Sequence, residues 1–181
     1  MTSFELEALI TYDKDGSVRL LPGYKFDPTD EVLILVNFYL KRRAFAQPLP
    51  VRIIPNFDVF QTEPWELPGG DGKNFNEQKC FFYNTMGRDL ESLDMRVAGS
   101  GQWKVVEKGK CVPIPRNNEV IGKRNTLIFW EMQGASARKT KWVMHQFRLV
   151  LVAKPSKISN WVVYRIFMKK DAKKDGECKW V

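Results

Sequence analysis

The sequence predicts an α+β fold, with one or two short helices first and then a twisted antiparallel β-sheet of about five to six strands. Three observations carry that prediction. From residue 79 onward, five runs are rich in Val, Ile, Phe and Trp and are separated by turn residues. The connections between these runs are too short for crossover helices, so neighbouring strands have to pair antiparallel. Before residue 79 the texture differs, with a helix-start signal and clustered prolines.

Residues 1–19 are mixed in character and read as a partly ordered arm. Leu21-Pro22-Gly23-Tyr24 is a rigid turn. At Pro28-Thr29-Asp30-Glu31, Thr29 is placed to cap a helix, and the two acids suit the positive end of its dipole. That helix is expected to run to about Leu40, with Leu33, Val36, Phe38 and Leu40 partly buried and Lys41-Arg42-Arg43 at its negative end. Pro48, Pro50 and Pro55 break it. A second short helix is expected over Asp58–Thr62, ended by Pro64-Trp65-Glu66-Leu67-Pro68. Residues 69–78, with three glycines and two asparagines, form a loop. The strands follow at Lys79–Tyr83, Gln102–Val106, Val120–Met132, Lys139–Ala153 and Asn160–Met168, and Gly134 lies between two of the longest runs, as a hairpin needs. The organisation is an arm (1–19), one domain (20–170) and, after Lys169-Lys170, a flexible basic tail (171–181).

With 181 residues the chain suits a single domain, and its twelve Phe and six Trp are enough to fill a core. Cys80, Cys111 and Cys178 are odd in number and far apart, which speaks against a disulfide framework and against zinc. The opening MTSFELEALITYDKDG has no basic stretch of a secretory signal, and no apolar run approaches a membrane span. Charge is unevenly placed within a net of +8: residues 1–95 carry −5, residues 96–148 carry +8 and residues 149–181 carry +5. A basic half on an aromatic-rich folded chain is the footprint of a polyanion partner, with nucleic acid foremost. A membrane surface would favour a basic amphipathic helix, whereas the basic segments here read as strands and loops. His145 is the single histidine and sits in an apolar run, so a structural imidazole outweighs a metal ligand or a general base. Gly99-Ser100-Gly101 lacks the lysine and following helix of a phosphate-binding loop. No catalytic constellation is present, and neither an enzyme, a cofactor, a metal nor a small-molecule substrate is expected.

Six blocks, in order over residues 20–170, carry a family resemblance. Leu20-Leu21-Pro22-Gly23-Tyr24-Lys25-Phe26-Asp27-Pro28-Thr29-Asp30-Glu31 resembles LPPGFRFHPTDEEL, and Glu63-Pro64-Trp65-Glu66-Leu67-Pro68 resembles EPWDLP. Arg96-Val97-Ala98-Gly99-Ser100-Gly101-Gln102-Trp103-Lys104 is similar to a block ending GSGYWK, and Ile121–Trp130 to VGxKKTLVFY. Lys139–Leu149 is similar to KTxWVMHEYRL, and Trp161–Phe167 to WVLCRIF. These are the blocks of the plant NAC domain. The resemblance implies a twisted antiparallel sheet packed between helices, a nuclear transcription regulator, and binding of short duplex sites with a CGT-type core. In that family a sheet edge bearing the third block enters the major groove, a less common reading geometry. Lys41-Arg42-Arg43 and Lys169-Lys170 fit nuclear residence.

The residues expected at DNA are therefore Arg96, Lys104, Val106, Lys108, Lys110, Lys123, Arg124, Arg138, Lys139 and Lys141. Arg96, Lys104 and Lys139 lead, because the resemblance assigns contacts to their positions. Strand alternation puts Lys104, Val106 and Lys108 on one face, and Trp103, Val105 and Glu107 on the other, with Trp103 anchored in the core. Trp65, Trp130, Trp142 and Trp161 are also expected in the core. The resemblance places a homodimer, or heterodimer with other NAC domains, at Leu21, Pro22, Gly23, Tyr24, Lys25 and Val32.

The chain departs from the family at several of these positions. Where the family reads WKATG, this chain has Trp103-Lys104-Val105-Val106-Glu107, so a threonine has become Val106 and a glycine Glu107. Val106 offers apolar contact, for example to a thymine methyl. A carboxylate at Glu107 repels phosphates, so Glu107→Gly is expected to strengthen binding. Two further basic positions are Leu93 and Ser136 here, and the dimer's arginine and glutamate are Lys25 and Val32. These departures define the second reading, a protein-interaction module that regulates partner transcription factors with weak or no specific DNA binding. No effector segment is legible after residue 170, which leaves an excised domain or action through partners.

Overall fold

Three long antiparallel strands frame the molecule. The computed structural model describes residues 10–12, 18–20, 27–35, 54–68, 79–84, 94–113, 118, 120–150 and 162–170. Among these, β1 (Ile10–Tyr12) and β2 (Val18–Leu20) pair with each other inside the segment expected as an arm and its junction. A short helix α1 (Asp30–Leu35) and a 3-10 turn (Pro64–Glu66) precede β3 (Cys80–Asn84), β4 (Met95–Ala98), β5 (Gly101–Pro113), β6 (Val120–Gln133), β7 (Ser136–Leu149) and β8 (Val162–Met168). The last six strands form one sheet in the order β3-β8-β7-β6-β5-β4, antiparallel throughout.

The antiparallel sheet and its strand number agree with expectation, but the helical share does not. Among the described residues, helix amounts to α1 and one 3-10 turn, so the sheet dominates and the few short helices expected to pack with it are not all found. Leu33 N–H donates to the Thr29 carbonyl at 2.8 Å, which starts α1 at the expected residue. The predicted continuation over Val36–Leu40 lies outside the described residues. No helix forms over Asp58–Thr62. Asp58 Oδ1 instead accepts from Phe60 N–H at 3.2 Å, a local side-chain bond that competes with helix hydrogen bonding. Strand β4 was not expected; its four residues alternate without a continuous apolar run.

Strand β5 runs far past the expected Val106 because two bulges let it follow β6. Register shifts fall between Val105 and Glu107 and again between Glu107 and Lys110. At the second, Gly109 adopts φ 66°, and its N–H donates to Asn125 Oδ1 at 2.7 Å. A side chain at Gly109 has open space around it, so backbone conformation rather than packing is what glycine serves there. Strands β6 and β7 join through the two-residue turn Gly134-Ala135, as the hairpin expectation required. In the β6–β7 pair, a shift between Ile128 and Trp130 is bridged by Thr140, whose hydroxyl donates to the Phe129 carbonyl at 2.8 Å.

Each face of the sheet has its own core. One face gathers Phe82, Ala98, Trp103, Leu127, Phe129, Met144, Tyr164 and Ile166, and Val59, Leu67 and the half-buried Trp65 and Phe60 cover it. Leu33, Ile34 and Ile54 cover the other face, packing on Phe81, Tyr83, Val112, Phe147 and Val163. Segment 55–57 shields the outer edge of β3, since Phe57 and Tyr83 exchange backbone bonds with Tyr83 and Pro55, each at 3.0 Å. The opposite edge, β4 and the outer part of β5, carries no such shield among the described residues.

Candidate nucleic-acid interface

The turn between β4 and β5 fixes the exposed edge. Glu63 Oε1 accepts from Ser100 N–H at 2.8 Å, and that bond holds the carboxyl of Glu63 below the usual carboxylate range. Gly99 sits at φ 54°, and a Cβ there would lie 2.3 Å from the Glu63 carboxyl carbon. The second and third sequence blocks are therefore one structural unit, with Glu63 clasping the Gly99-Ser100 turn.

Strand β4 pairs with β5 only over Gly101–Lys104. Beyond it, Val106–Pro113 forms the outer margin of the sheet among the described residues. Val106 is the inserted residue of the first bulge and is 54% exposed. The bulge corrects the expected alternation. Trp103 is buried and Val105 packs against its cluster, as expected, but Glu107 turns to the opposite face, opposite Thr126. An extra residue in one strand reverses which side every later residue faces.

The structure gathers the candidate residues into two groups and straddles the edge with a third pair. Lys104 Nζ lies 4.3 Å from the centroid of the Trp130 ring, and Lys139 is the register partner of Trp130 on its other side. Arg138 and Lys141 are exposed beside Lys139 at the end of the β6–β7 hairpin. Further down the edge, Lys110 stands opposite Arg124, and Lys123 opposite Cys111. Arg96 faces the Trp103 side of the sheet, its guanidinium 4.5 Å above the Phe60 ring, whereas Lys104 faces the other side. Arg96 and Lys104 thus flank the edge from opposite faces. Lys108 is exposed, 3.7 Å from Asp94. Of the tryptophans, Trp103 and Trp142 are buried, Trp65 and Trp130 are half-buried, and Trp161 lies outside the described residues. So do Leu21–Lys25, while Val32 lies within α1.

Behind the edge runs a chain of charged groups that sequence reading missed. Arg124 is bonded through Nη1 to Asp30 Oδ2, and through Nη2 to Glu107 Oε2 at 3.0 Å. Asp30 Oδ1 accepts from the buried Arg165 at 2.6 Å, and the same Nη2 of Arg165 lies 2.6 Å from His145 Nδ1. Burial opposes ionisation of Asp30, yet Arg165 and Arg124 together hold its carboxyl below the usual value. From sequence alone, Asp30 is only a dipole partner for α1. Arg165 and Thr126 gave no sequence signal, because their roles arise from cross-strand register.

His145 behaves as a structural imidazole. Burial, then Arg165 and Arg124, push its pKa down from 6.5 to about 4, so Nδ1 is free to accept from Arg165. Asp30 and Glu107 also act on it, in the opposite sense. Because the folded pKa is the lower one, the unfolded chain binds the extra proton first as pH falls. Stability is therefore full above pH 6.5 and declines as pH drops toward 4. The expected loss is roughly 2 kcal/mol, discounted for the part of the ring that remains wet. Urea midpoints at neutral and acid pH test this, with His145→Gln expected to flatten the difference.

Among the described residues, no helix is long and apolar enough to cross a membrane, and no three or more His, Cys, Asp or Glu converge on a point that could hold an ion. Cys80 and Cys111 are free thiols. What the fold and site define is a sheet domain with one bulged edge, lined by lysines and arginine and stiffened from behind by ion pairs.

Comparison with known proteins gives that class its family. The sequence profile described as "No apical meristem (NAM) protein" matches residues 21–149. NAC domain-containing protein 83 of Arabidopsis thaliana is 39% identical over 163 residues, covering 88% of this chain and 62% of that protein. NAC domain-containing protein 41, also of Arabidopsis thaliana, is 36% identical over 160 residues, covering 86% and 56%. NAC transcription factor 56 of the same plant is 33% identical over 171 residues, covering 85% and 46%. The chain belongs to the NAC (no apical meristem) family. It spans roughly half of the length of these relatives.

Proposed function

We propose that this chain is the double-stranded-DNA-binding domain of a nuclear plant transcription regulator, and not an enzyme. It reads short sites with a CGT-type core by laying the edge around Trp103–Lys110 into the major groove. The observation that carries this reading is the outer margin of β5, unpaired beyond Lys104 among the described residues and bulged at Val106, with Lys104 at its start and Lys108 and Lys110 along it. A two-sided edge suits a groove, because Arg96 and Lys104 then approach opposite walls. Arg138, Lys139 and Lys141 extend the basic surface, where lysine acts as a point charge on phosphate. Lys123 and Arg124 add positive charge lower on the edge, although Arg124 commits donors to Asp30 and Glu107. No cofactor, metal, membrane or small-molecule substrate enters this role.

Fluorescence-anisotropy titration of a CGT-core duplex against a scrambled one, at several salt concentrations, tests the reading. Selective binding is expected, with log affinity falling by about 0.9 per phosphate contact for each unit of log salt. Lys104→Ala should weaken the CGT-core complex by about tenfold. Equal and weak binding to both duplexes, lost by ~200 mM salt, would reject it.

One observation favours the second reading, a module that regulates partner transcription factors by protein contact. Val97 and Met95 on edge strand β4 are 69% and 49% exposed, an apolar margin suited to a protein surface. We also place a homodimer, or a heterodimer with other NAC domains, at Leu21–Lys25 and Val32. Sedimentation at micromolar concentration tests it, and a clean monomer would rule it out there.

A further inference from the structure

At the outer margin of β5, Glu107 is held by two hydrogen-bond donors and paired at longer range with an ammonium. Arg124 Nη2 donates to Oε2 at 3.0 Å, Thr126 Oγ1 donates to the same oxygen at 2.9 Å, and Lys110 Nζ lies 3.9 Å from Oε1. The carboxylate is 43% exposed, whereas the Arg124 side chain is only 14% exposed and is fixed from behind by Asp30. Glu107 therefore lies over the cradle as a lid lies over a cup. It reaches this position because the bulge at Val106 turns it to the Thr126 face; an unbroken strand would have sent it to the Trp103 side.

A guanidinium and a hydroxyl meeting on one oxygen, with an ammonium near the other, are the groups of an oxyanion site, and here the chain's own carboxylate fills it. We propose that the Arg124–Thr126–Lys110 cradle is a phosphate site that Glu107 occupies as an internal competitor. Resting on the DNA-binding reading, the ligand it excludes is a backbone phosphodiester of the duplex. Glu107 thus does more than repel phosphate at a distance, since it consumes donors that would otherwise grip one. With Glu107 in place, Arg124 is neutralised by two carboxylates; without it, Nη2, the Thr126 hydroxyl and Lys110 are all freed toward solvent.

Two titrations of Glu107→Ala test the proposal. In the first, inorganic phosphate is added in low-chloride buffer while the amide resonances of Thr126 and Lys110 are followed. Saturable millimolar binding is expected for Glu107→Ala, none for the unmodified chain, and none when Lys110→Ala and Thr126→Val are added to Glu107→Ala. In the second, duplex anisotropy is expected to show Glu107→Ala binding about three- to tenfold tighter, with a salt slope steeper by about one. Glu107→Gln, which keeps the size without the charge, should give an intermediate gain. The proposal is overturned if phosphate moves the same amides equally with and without Glu107. It is also overturned if the gain in duplex affinity persists undiminished after Lys110→Ala and Thr126→Val, because simple repulsion would then suffice. Phosphate capture by Glu107→Ala with no duplex bound by any variant would uphold the cradle and reject the DNA reading instead.

Discussion

Asp30→Ala is expected to destabilise the fold by about 3–5 kcal/mol. Among the described residues, Asp30 is the carboxylate shared by Arg165 and Arg124, whose side chains are 8% and 14% exposed. Removing it takes the shared carboxylate from two largely buried guanidiniums: Arg124 keeps Glu107, and Arg165 keeps the His145 ring, the face of the Phe147 ring and the Pro28 carbonyl at 3.4 Å. Breaking a buried pair costs more than the pair contributes, because the remaining charge keeps its desolvation penalty. The midpoint of thermal unfolding should fall by roughly 6–15 °C for a chain of this size. Replacing Arg165 by Met in the Asp30→Ala background should recover part of the loss, since the orphaned charge goes with it. A change within about 2 °C for Asp30→Ala would mean that the charged chain does not hold α1 to the sheet.

Trp103→Ala is expected to cost about 3–5 kcal/mol. Its side chain is fully buried, and its ring packs 5.2 Å from Phe129, itself fully buried. Trp103 anchors the strand whose next residue, Lys104, faces the proposed groove, so the loss extends from packing to function. Among the described residues the indole N–H has no hydrogen-bond partner, which separates shape from polarity. Trp103→Phe should therefore keep much of the stability, at a cost of roughly 1–2 kcal/mol from the smaller ring. Equilibrium urea unfolding reads both variants. Similar losses for Phe and Ala would show that the indole nitrogen matters and that packing area is not the main contribution.

The difference between what could and could not be read from sequence follows from which residues set each feature. The long strands β6 and β7 were legible because apolar density and Gly134 are local properties. Trp103 was legible as an anchor because it precedes any bulge on β5. Glu107 was misplaced because a bulge is a property of a strand pair, and nothing within β5 alone says that β6 is one residue shorter opposite Val106. Asp30 looked like an ordinary first-turn acid, since its partners Arg124 and Arg165 lie 94 and 135 residues away. Asp58–Thr62 failed as a helix because the Asp58 side chain offers the backbone a competing bond. Glu63 and Gly99 belong to separate sequence motifs, and only the folded chain joins them.

The proposed meeting of this chain with duplex DNA is along the β4–β5 edge. Amide chemical-shift mapping with a CGT-core duplex tests that most directly. Shifts are expected to concentrate at Arg96, Lys104–Lys110 and Arg138–Lys141, with the shielded β3 edge unmoved. Shifts confined to β3 and segment 55–57, or no shifts at low salt, would contradict it.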